Sequence, residues 1–140
     1  MSLQLFGHPF SSYTQKVLIP LWADETPFEY RLLEQDYPEN SEILKRHSPF
    51  GLFPLILDGD RAVFETSIII EYLQDHYPGS NRWIPDGDEG LRVRLFDRFF
   101  DLYANKGAPA GGAAQESAGT DKQEARGAAS QPSSRKDGAA

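Results

Sequence analysis

The sequence predicts an α/β domain of order βαβα–ββα, followed by the start of an all-α segment and a tail. Two observations carry this. Short runs with strand character, at residues 3–6, 28–32, 54–57 and 62–64, are separated by stretches whose apolar residues recur at helical spacing. In addition, every Phe, Trp, Tyr, Leu, Ile, Val and Met lies at or before Tyr103. Beyond that point the chain offers Ala, Gly, Ser, Pro, Gln and charges, which bury too little apolar surface to offset ordering, so residues 104–140 read as disordered.

The elements follow in order. Residues 3–6 alternate weakly as a strand, and Gly7-His8-Pro9 breaks it. Ser12 and Gln15 read as an S-x-x-Q capping box before a helix carrying Val17, Leu18, Leu21 and Trp22, with Pro20 expected to kink it or end it early. Residues 28–32 alternate as a second strand, residues 34–40 read as loop, and residues 41–47 as a short helix stopped at Ser48-Pro49. Residues 54–57 and 62–64 form a hairpin around Asp58-Gly59-Asp60. Residues 66–77 form a helix on Ile68, Ile69, Tyr72 and Leu73, ended by Pro78-Gly79. Residues 81–90 read as a linker. Residues 91–103 read as an amphipathic helix with Leu91, Leu95, Phe99 and Leu102 on one stripe, broadened by Phe96 and Phe100.

Composition excludes several classes of function. The net charge is −7, and because the tail nets +1 the front part carries −8. An acidic body without a basic stripe argues against nucleic acid and against an anionic membrane surface. The absence of cysteine excludes disulfides, thiolate metal sites and a dithiol redox mechanism within the chain. His8, His47 and His76 lack metal-ligand spacing, so no metal is expected. Neither a signal peptide nor a run of about 18 apolar residues is evident, which makes a cytoplasmic location the default.

The most informative stretch runs from Gly51-Leu52-Phe53-Pro54-Leu55-Ile56-Leu57 to Phe64-Glu65-Thr66-Ser67. Pro54 cannot donate to a strand ladder, so it begins a strand or sits on an edge, and it is a candidate for a cis bond that points the Phe53 backbone groups outward. An exposed backbone N–H and C=O beside a helix N-terminus carrying a carboxylate suits a peptide-like ligand. These residues resemble the glutathione site of the glutathione S-transferases, whose first domain is thioredoxin-like. The resemblance spans residues 3 to about 103. It divides the chain into a thioredoxin-like domain over residues 1–80, a linker over 81–90, the remnant first helix of a second, helical domain over 91–103, and the tail. The abrupt change at Ala104 reads as a frameshift or a wrong gene boundary, with the rest of the helical domain missing.

The resemblance implies roles for individual residues. Ser11-Ser12-Tyr13-Thr14-Gln15-Lys16-Val17 is similar to the S-x-x-x-x-[KR]-V pattern of the serine-type classes, with Ser11 at the activating serine and Ser12 an adjacent substitute. Phe53-Pro54 resembles the V-P pair whose backbone holds the cysteinyl part of glutathione. Glu65-Thr66 resembles the E-S pair that holds the γ-glutamyl end: Thr66 and its helix amides bind the carboxylate and Glu65 attracts the amine. Where the family often has Asn-Pro-x-Gly-Lys, this chain has Ser48-Pro49-Phe50-Gly51-Leu52, so Leu52 supplies no cation for the glycyl carboxylate, and Lys45 or Arg46 is the available substitute. Read locally, the same residues also fit a helix cap, a turn serine, a surface acid and a strand-edge proline.

The implied activity is a transferase for detoxification. Glutathione is the co-substrate, a small hydrophobic electrophile is the second substrate, and a homodimer is the family's usual assembly. The alternatives are a non-catalytic glutathione- or protein-binding thioredoxin-like module, or a non-functional truncated product. The chemistry needs little machinery. Lowering a thiol pKa of about 8.5 by about two units needs roughly 2.7 kcal/mol. A hydrogen bond to a charged group supplies about 1.5–3 kcal/mol, and a helix N-terminus adds about 0.3–1. One hydroxyl at the start of a helix therefore suffices.

Overall fold

In the computed structural model, residues 2–104 are described. All of the predicted tail except Ala104 lies outside them. The strands are β1 (Leu3–Gly7), β2 (Glu29–Leu32), β3 (Leu55–Asp58) and β4 (Arg61–Phe64), and they form one sheet in the order β2-β1-β3-β4. β1 pairs parallel to β2 and antiparallel to β3, and β3 pairs antiparallel to β4. The helices are α1 (Ser12–Ala23), α2 (Pro38–His47), α3 (Thr66–His76) and α4 (Gly87–Leu102).

Strand alternation builds two cores, one on each face of the sheet. Leu3 and Leu5 of β1, Ile56 of β3 and Val63 of β4 pack with Val17, Leu18 and Leu21 of α1 and Ile69 and Leu73 of α3. The alternate residues Phe6, Leu55 and Leu57 pack with Leu44 of α2 on the other face, where Leu33 and Ile43 extend the cluster. Gly7 ends β1 against α1. A Cβ there would come within 2.4 Å of Thr14 Cγ2, so only glycine lets the strand pass the helix this closely.

Four boundaries differ from the sequence expectation, each for a local reason. The cap of α1 is Ser11, not Ser12: Ser11 is extended (φ −79°, ψ 120°) and its Oγ accepts from Thr14 N at 3.3 Å. Gln15 does not complete a box; its Nε2 donates to Pro9 O at 2.8 Å. Pro20 does not end α1, which runs to Ala23 with Asp24 N donating to Pro20 O at 3.0 Å. α2 begins at Pro38 within the expected loop, because proline suits the first helical turn, where its missing N–H costs nothing. α4 begins at Gly87 within the expected linker, with Asp88 and Glu89 complementing its N-terminal dipole.

The segment between α3 and α4 is clamped at two points. Asp24 accepts from Asn81 N at 3.1 Å, Asn81 Nδ2 at 2.7 Å and Trp83 Nε1 at 2.8 Å. Gln74 uses both ends of its amide on Ile84, donating to its O at 3.0 Å and accepting from its N at 2.8 Å. α4 then lies with its apolar stripe turned outward: Leu91 and Leu95 are each 66% exposed, and Phe96, Phe99 and Phe100 are also exposed.

At the hairpin end of the sheet, Asp58 accepts from Tyr72 OH and Tyr77 OH, each at 2.7 Å. These two hydrogen bonds hold the Asp58 carboxyl below its ordinary range, and the bond to Asp58 pushes the Tyr77 phenol up to about 12.

Two predictions follow from this packing. Ile56→Ala, at a fully buried position, is expected to cost about 2–5 kcal/mol in denaturant unfolding, whereas Leu95→Ala on the exposed stripe stays within about 0.5 kcal/mol of wild type. The second concerns pH. Asp58 has a lowered folded value, so it stabilises the fold above the ordinary carboxylate range near pH 4 and that stability is lost as pH falls. Tyr77 has a raised value, so its contribution is complete below about pH 10 and is lost as pH rises through about 12. Asp58→Asn should flatten both limbs of the stability profile and bring the alkaline absorbance titration of Tyr77 back toward about 10. An unchanged Tyr77 titration would contradict the Asp58 assignment.

Candidate functional site

Register gathers the three segments singled out in the sequence. Phe6 at the C-terminal end of β1 pairs with Leu55 at the start of β3, and Leu55 pairs with Phe64 at the end of β4. This one row across the sheet leads in β1 to the turn carrying Ser11, in β3 to Phe53-Pro54, and in β4 to Glu65-Thr66. All six predicted site residues therefore adjoin one end of the sheet, opposite the Asp58 end.

Ser11 is buried and anchored on both sides: its N donates to His8 O at 3.0 Å and its O accepts from Gln15 N at 3.0 Å. Its Oγ takes the Thr14 N–H as acceptor, which leaves the hydroxyl hydrogen as a donor. Ser12, one residue on, is exposed and already helical. Both hydroxyls sit at the N-terminus of a helix of 12 residues, where partial positive charge favours an anion.

The Phe53–Pro54 bond is cis, as the sequence suggested. Pro54 is buried and immediately precedes β3. Within the described residues no hydrogen bond uses the Phe53 backbone, so its N–H and C=O are available at the strand entrance. The loop before it is held by Ser48, whose Oγ accepts from Leu52 N and donates to Leu52 O, both at 3.0 Å. Leu52 is exposed at the position where the resemblance expects a cation. Lys45 Nζ lies 3.5 Å from Glu42 Oε1 and Arg46 Nε donates to Glu42 O at 3.3 Å, so both candidate substitutes engage their own helix.

Glu65 is the N-cap residue of α3 and Thr66 its first, buried, helical residue. No side chain caps this helix, so the amides of its first turn are open to an external acceptor. Glu65 holds φ +71°, a conformation uncommon for a side chain with a Cβ. Such backbone costs about 1–3 kcal/mol and persists where surrounding structure over-determines it. The sequence carried no signal for this conformation.

A separate groove of ≈ 440 Å³ lies between α1, α3 and α4, with Ile19, Ile68, Trp83 and Val93 among its walls and Glu65 and Ser67 at the site end. Sequence reading also missed a charged cluster beside it. Lys16 Nζ contacts Asp97 Oδ1 at 2.5 Å and Asp101 Oδ1 at 2.8 Å, and Ser67 Oγ donates to Asp97 Oδ2. Burial works against the Lys16 charge, but hydrogen bonds to Asp101 and Asp97 outweigh it and raise its pKa. Burial likewise opposes ionisation of Asp97, and the bonds from Lys16 and Ser67 overcome it and lower its pKa. Among the described residues, no His, Cys, Asp or Glu group is gathered to hold a metal, and no helix is long and apolar enough to cross a membrane.

The sequence model of the family described as "Glutathione S-transferase, N-terminal domain" matches residues 5–81. The chain belongs to this family. It is 36% identical over 76 residues to glutathione S-transferase F7 of Arabidopsis thaliana, covering 54% of this chain and 36% of that protein. It is 26% identical over 105 residues to the dichloromethane dehalogenase of Methylorubrum extorquens, covering 74% and 36%. The chain thus spans about a third of the length of these curated relatives. Among solved structures, rice GST1 in complex with glutathione superposes with a TM-score of 0.61 at 25% identity, covering 74% of this chain and 50% of that one. A glutathione S-transferase of Methylobacillus flagellatus with glutathione bound gives 0.63 at 25% identity, covering 71% and 49%. The mixed four-stranded sheet with helices on both faces is the thioredoxin-like fold of this family, continued by the start of a helical segment.

For Glu65 the expected outcome of substitution is a trade. Glu65→Gly removes the strain of the positive φ and leaves stability equal or higher by up to about 1 kcal/mol, in contrast to the usual loss on placing glycine beside a helix. Thermal unfolding checks this, and a loss of more than about 1 kcal/mol would show that the Glu65 side chain holds the turn.

Proposed function

We propose that this chain binds glutathione at the end of the sheet and holds its sulfur as a thiolate for attack on a hydrophobic electrophile. The observation that supports this best is the row Phe6–Leu55–Phe64, which leads the three candidate segments to the same end of the sheet. In this reading the Phe53 backbone, beside Pro54, hydrogen-bonds the cysteinyl unit in strand fashion. Thr66 and the first-turn amides of α3 take the γ-glutamyl carboxylate, and Glu65 attracts the amine. The hydroxyl of Ser11, or of Ser12, donates to the sulfur.

The reaction is a substitution. The thiol proton passes to solvent on binding. The thiolate lone pair then forms the carbon–sulfur bond, and the bond from that carbon to the leaving group breaks, its electron pair departing with the leaving group. Glutathione is thus a co-substrate, and a cytoplasmic transferase acting as a homodimer is the setting that the family suggests. Residues 1–80 form the glutathione-binding domain, and α4 opens a second, helical part that contributes to the electrophile's surroundings.

A second reading, a module that binds glutathione or a partner protein without turnover, is favoured by one observation: Leu52 stands where a cation would pair with the glycyl carboxylate. Calorimetric titration and conjugation of a generic aryl halide separate the two. The transferase reading expects glutathione binding that Thr66→Ala weakens by a factor of about 10 to 150, corresponding to a loss of roughly 1.5–3 kcal/mol for a charged-group hydrogen bond. It also expects turnover that falls in Ser11→Ala or Ser12→Ala. Binding without turnover supports the module. Turnover equal to wild type in both serine variants removes the hydroxyl's role, and absence of binding at millimolar glutathione removes both the transferase and the glutathione-module readings.

A further inference from the structure

α4 is docked by its charged side. Its apolar residues Leu95 and Phe99 face outward, while Asp97 and Asp101, one helical turn apart, reach inward to a single lysine. Lys16 lies on the second turn of α1, five residues after Ser11, and Asp97 also accepts from Ser67, the residue after Thr66. A further bond runs from Tyr13 OH to Asp101 O at 3.3 Å. One carboxylate is therefore shared between the second turn of α1 and the first turn of α3. The sheet supplies no equivalent link, because β1 and β4, which feed those two turns, are not neighbours and β3 lies between them. The hydrophobic contacts between the two helices involve Val17, Leu18, Leu21, Ile69 and Leu73, further along each helix.

All three charged side chains are largely withdrawn from water, with side-chain exposures of 29% for Lys16, 20% for Asp97 and 14% for Asp101. Charges in such surroundings keep their geometry better than exposed pairs, and removal of one partner leaves the others unpaired. We propose that Lys16 and Asp97 are positioning residues for the glutathione site: through α4 they set the spacing between the hydroxyls that begin α1 and the amides that begin α3. This rests on the reading of the site as a glutathione site. It means that the thiolate end and the γ-glutamyl end of the ligand are brought into register by a helix touching neither.

The test measures two quantities for wild type, Lys16→Met, Asp97→Asn, Ser67→Ala and Lys16→Arg: calorimetric affinity for glutathione, and the pH at which bound glutathione ionises, read from ultraviolet thiolate absorbance. Lys16→Met and Asp97→Asn are expected to bind glutathione about tenfold or more weakly and to ionise its thiol at higher pH. Ser67→Ala should shift both in the same direction by less, and Lys16→Arg, which keeps the charge and can bond both carboxylates, should stay close to wild type in both. A general loss of stability would not move the thiol ionisation of the molecules that remain folded. If wild type binds and the Lys16→Met and Asp97→Asn variants match it in affinity and thiol ionisation, the positioning role is wrong while the site stands. Should those two variants fail to fold, wild-type behaviour of Ser67→Ala overturns the proposal. If wild type itself binds no glutathione, the site reading fails and the inference with it.

Discussion

The pairing of β3 with both of its neighbours is the constraint on which the rest of the molecule depends. Leu55 stands opposite Phe6 on one side and Phe64 on the other. A slip of one residue would exchange Ile56, buried against α1 and α3, with Leu55 and Leu57, buried against α2. The alternation that fills two cores therefore also fixes which residues leave the sheet at its functional end. Core and candidate site are consequences of a single register, and a substitution that disturbs one disturbs the other.

Electrostatics at that end are local. The front part of the chain carries −8, and glutathione, with two carboxylates and one ammonium, is itself an anion. Long-range attraction does not assist such a ligand, so affinity must come from donors within hydrogen-bonding distance. In the proposed site the N-termini of α1 and α3 are the sources of such donors, the first with serine hydroxyls and the second with uncapped amides. In the same proposal Glu65 is the complementary charge for the amine. The strained Glu65 backbone fits this account, since positive φ persists where neighbouring structure imposes it.

Much of this was legible in the sequence because it is written in short-range patterns. Strand alternation, helix periodicity and the Pro54 turn depend on neighbours a few residues apart, and those segments lie where expected. Boundaries were less legible. Two adjacent serines compete for one cap, and only the backbone at Ser11 decides between them. Pro38 and Asp86-Gly87 are as compatible with loops as with helix starts, so α2 and α4 begin earlier than their apolar residues indicate. The Lys16–Asp97–Asp101 cluster was invisible, because Lys16 lies more than 80 positions from both carboxylates and each residue looks like an ordinary surface charge alone.

The most direct measurement is a map of backbone amide chemical shifts during glutathione titration. The account predicts that changes concentrate at residues 11–13, at Phe53 and at residues 65–68, three segments that the register of β3 leads to one end of the sheet. Changes centred instead on Ile19, Trp83 and Val93 of the α1–α3–α4 groove, or on the Asp58 end of the sheet, with those three segments unmoved, would contradict it.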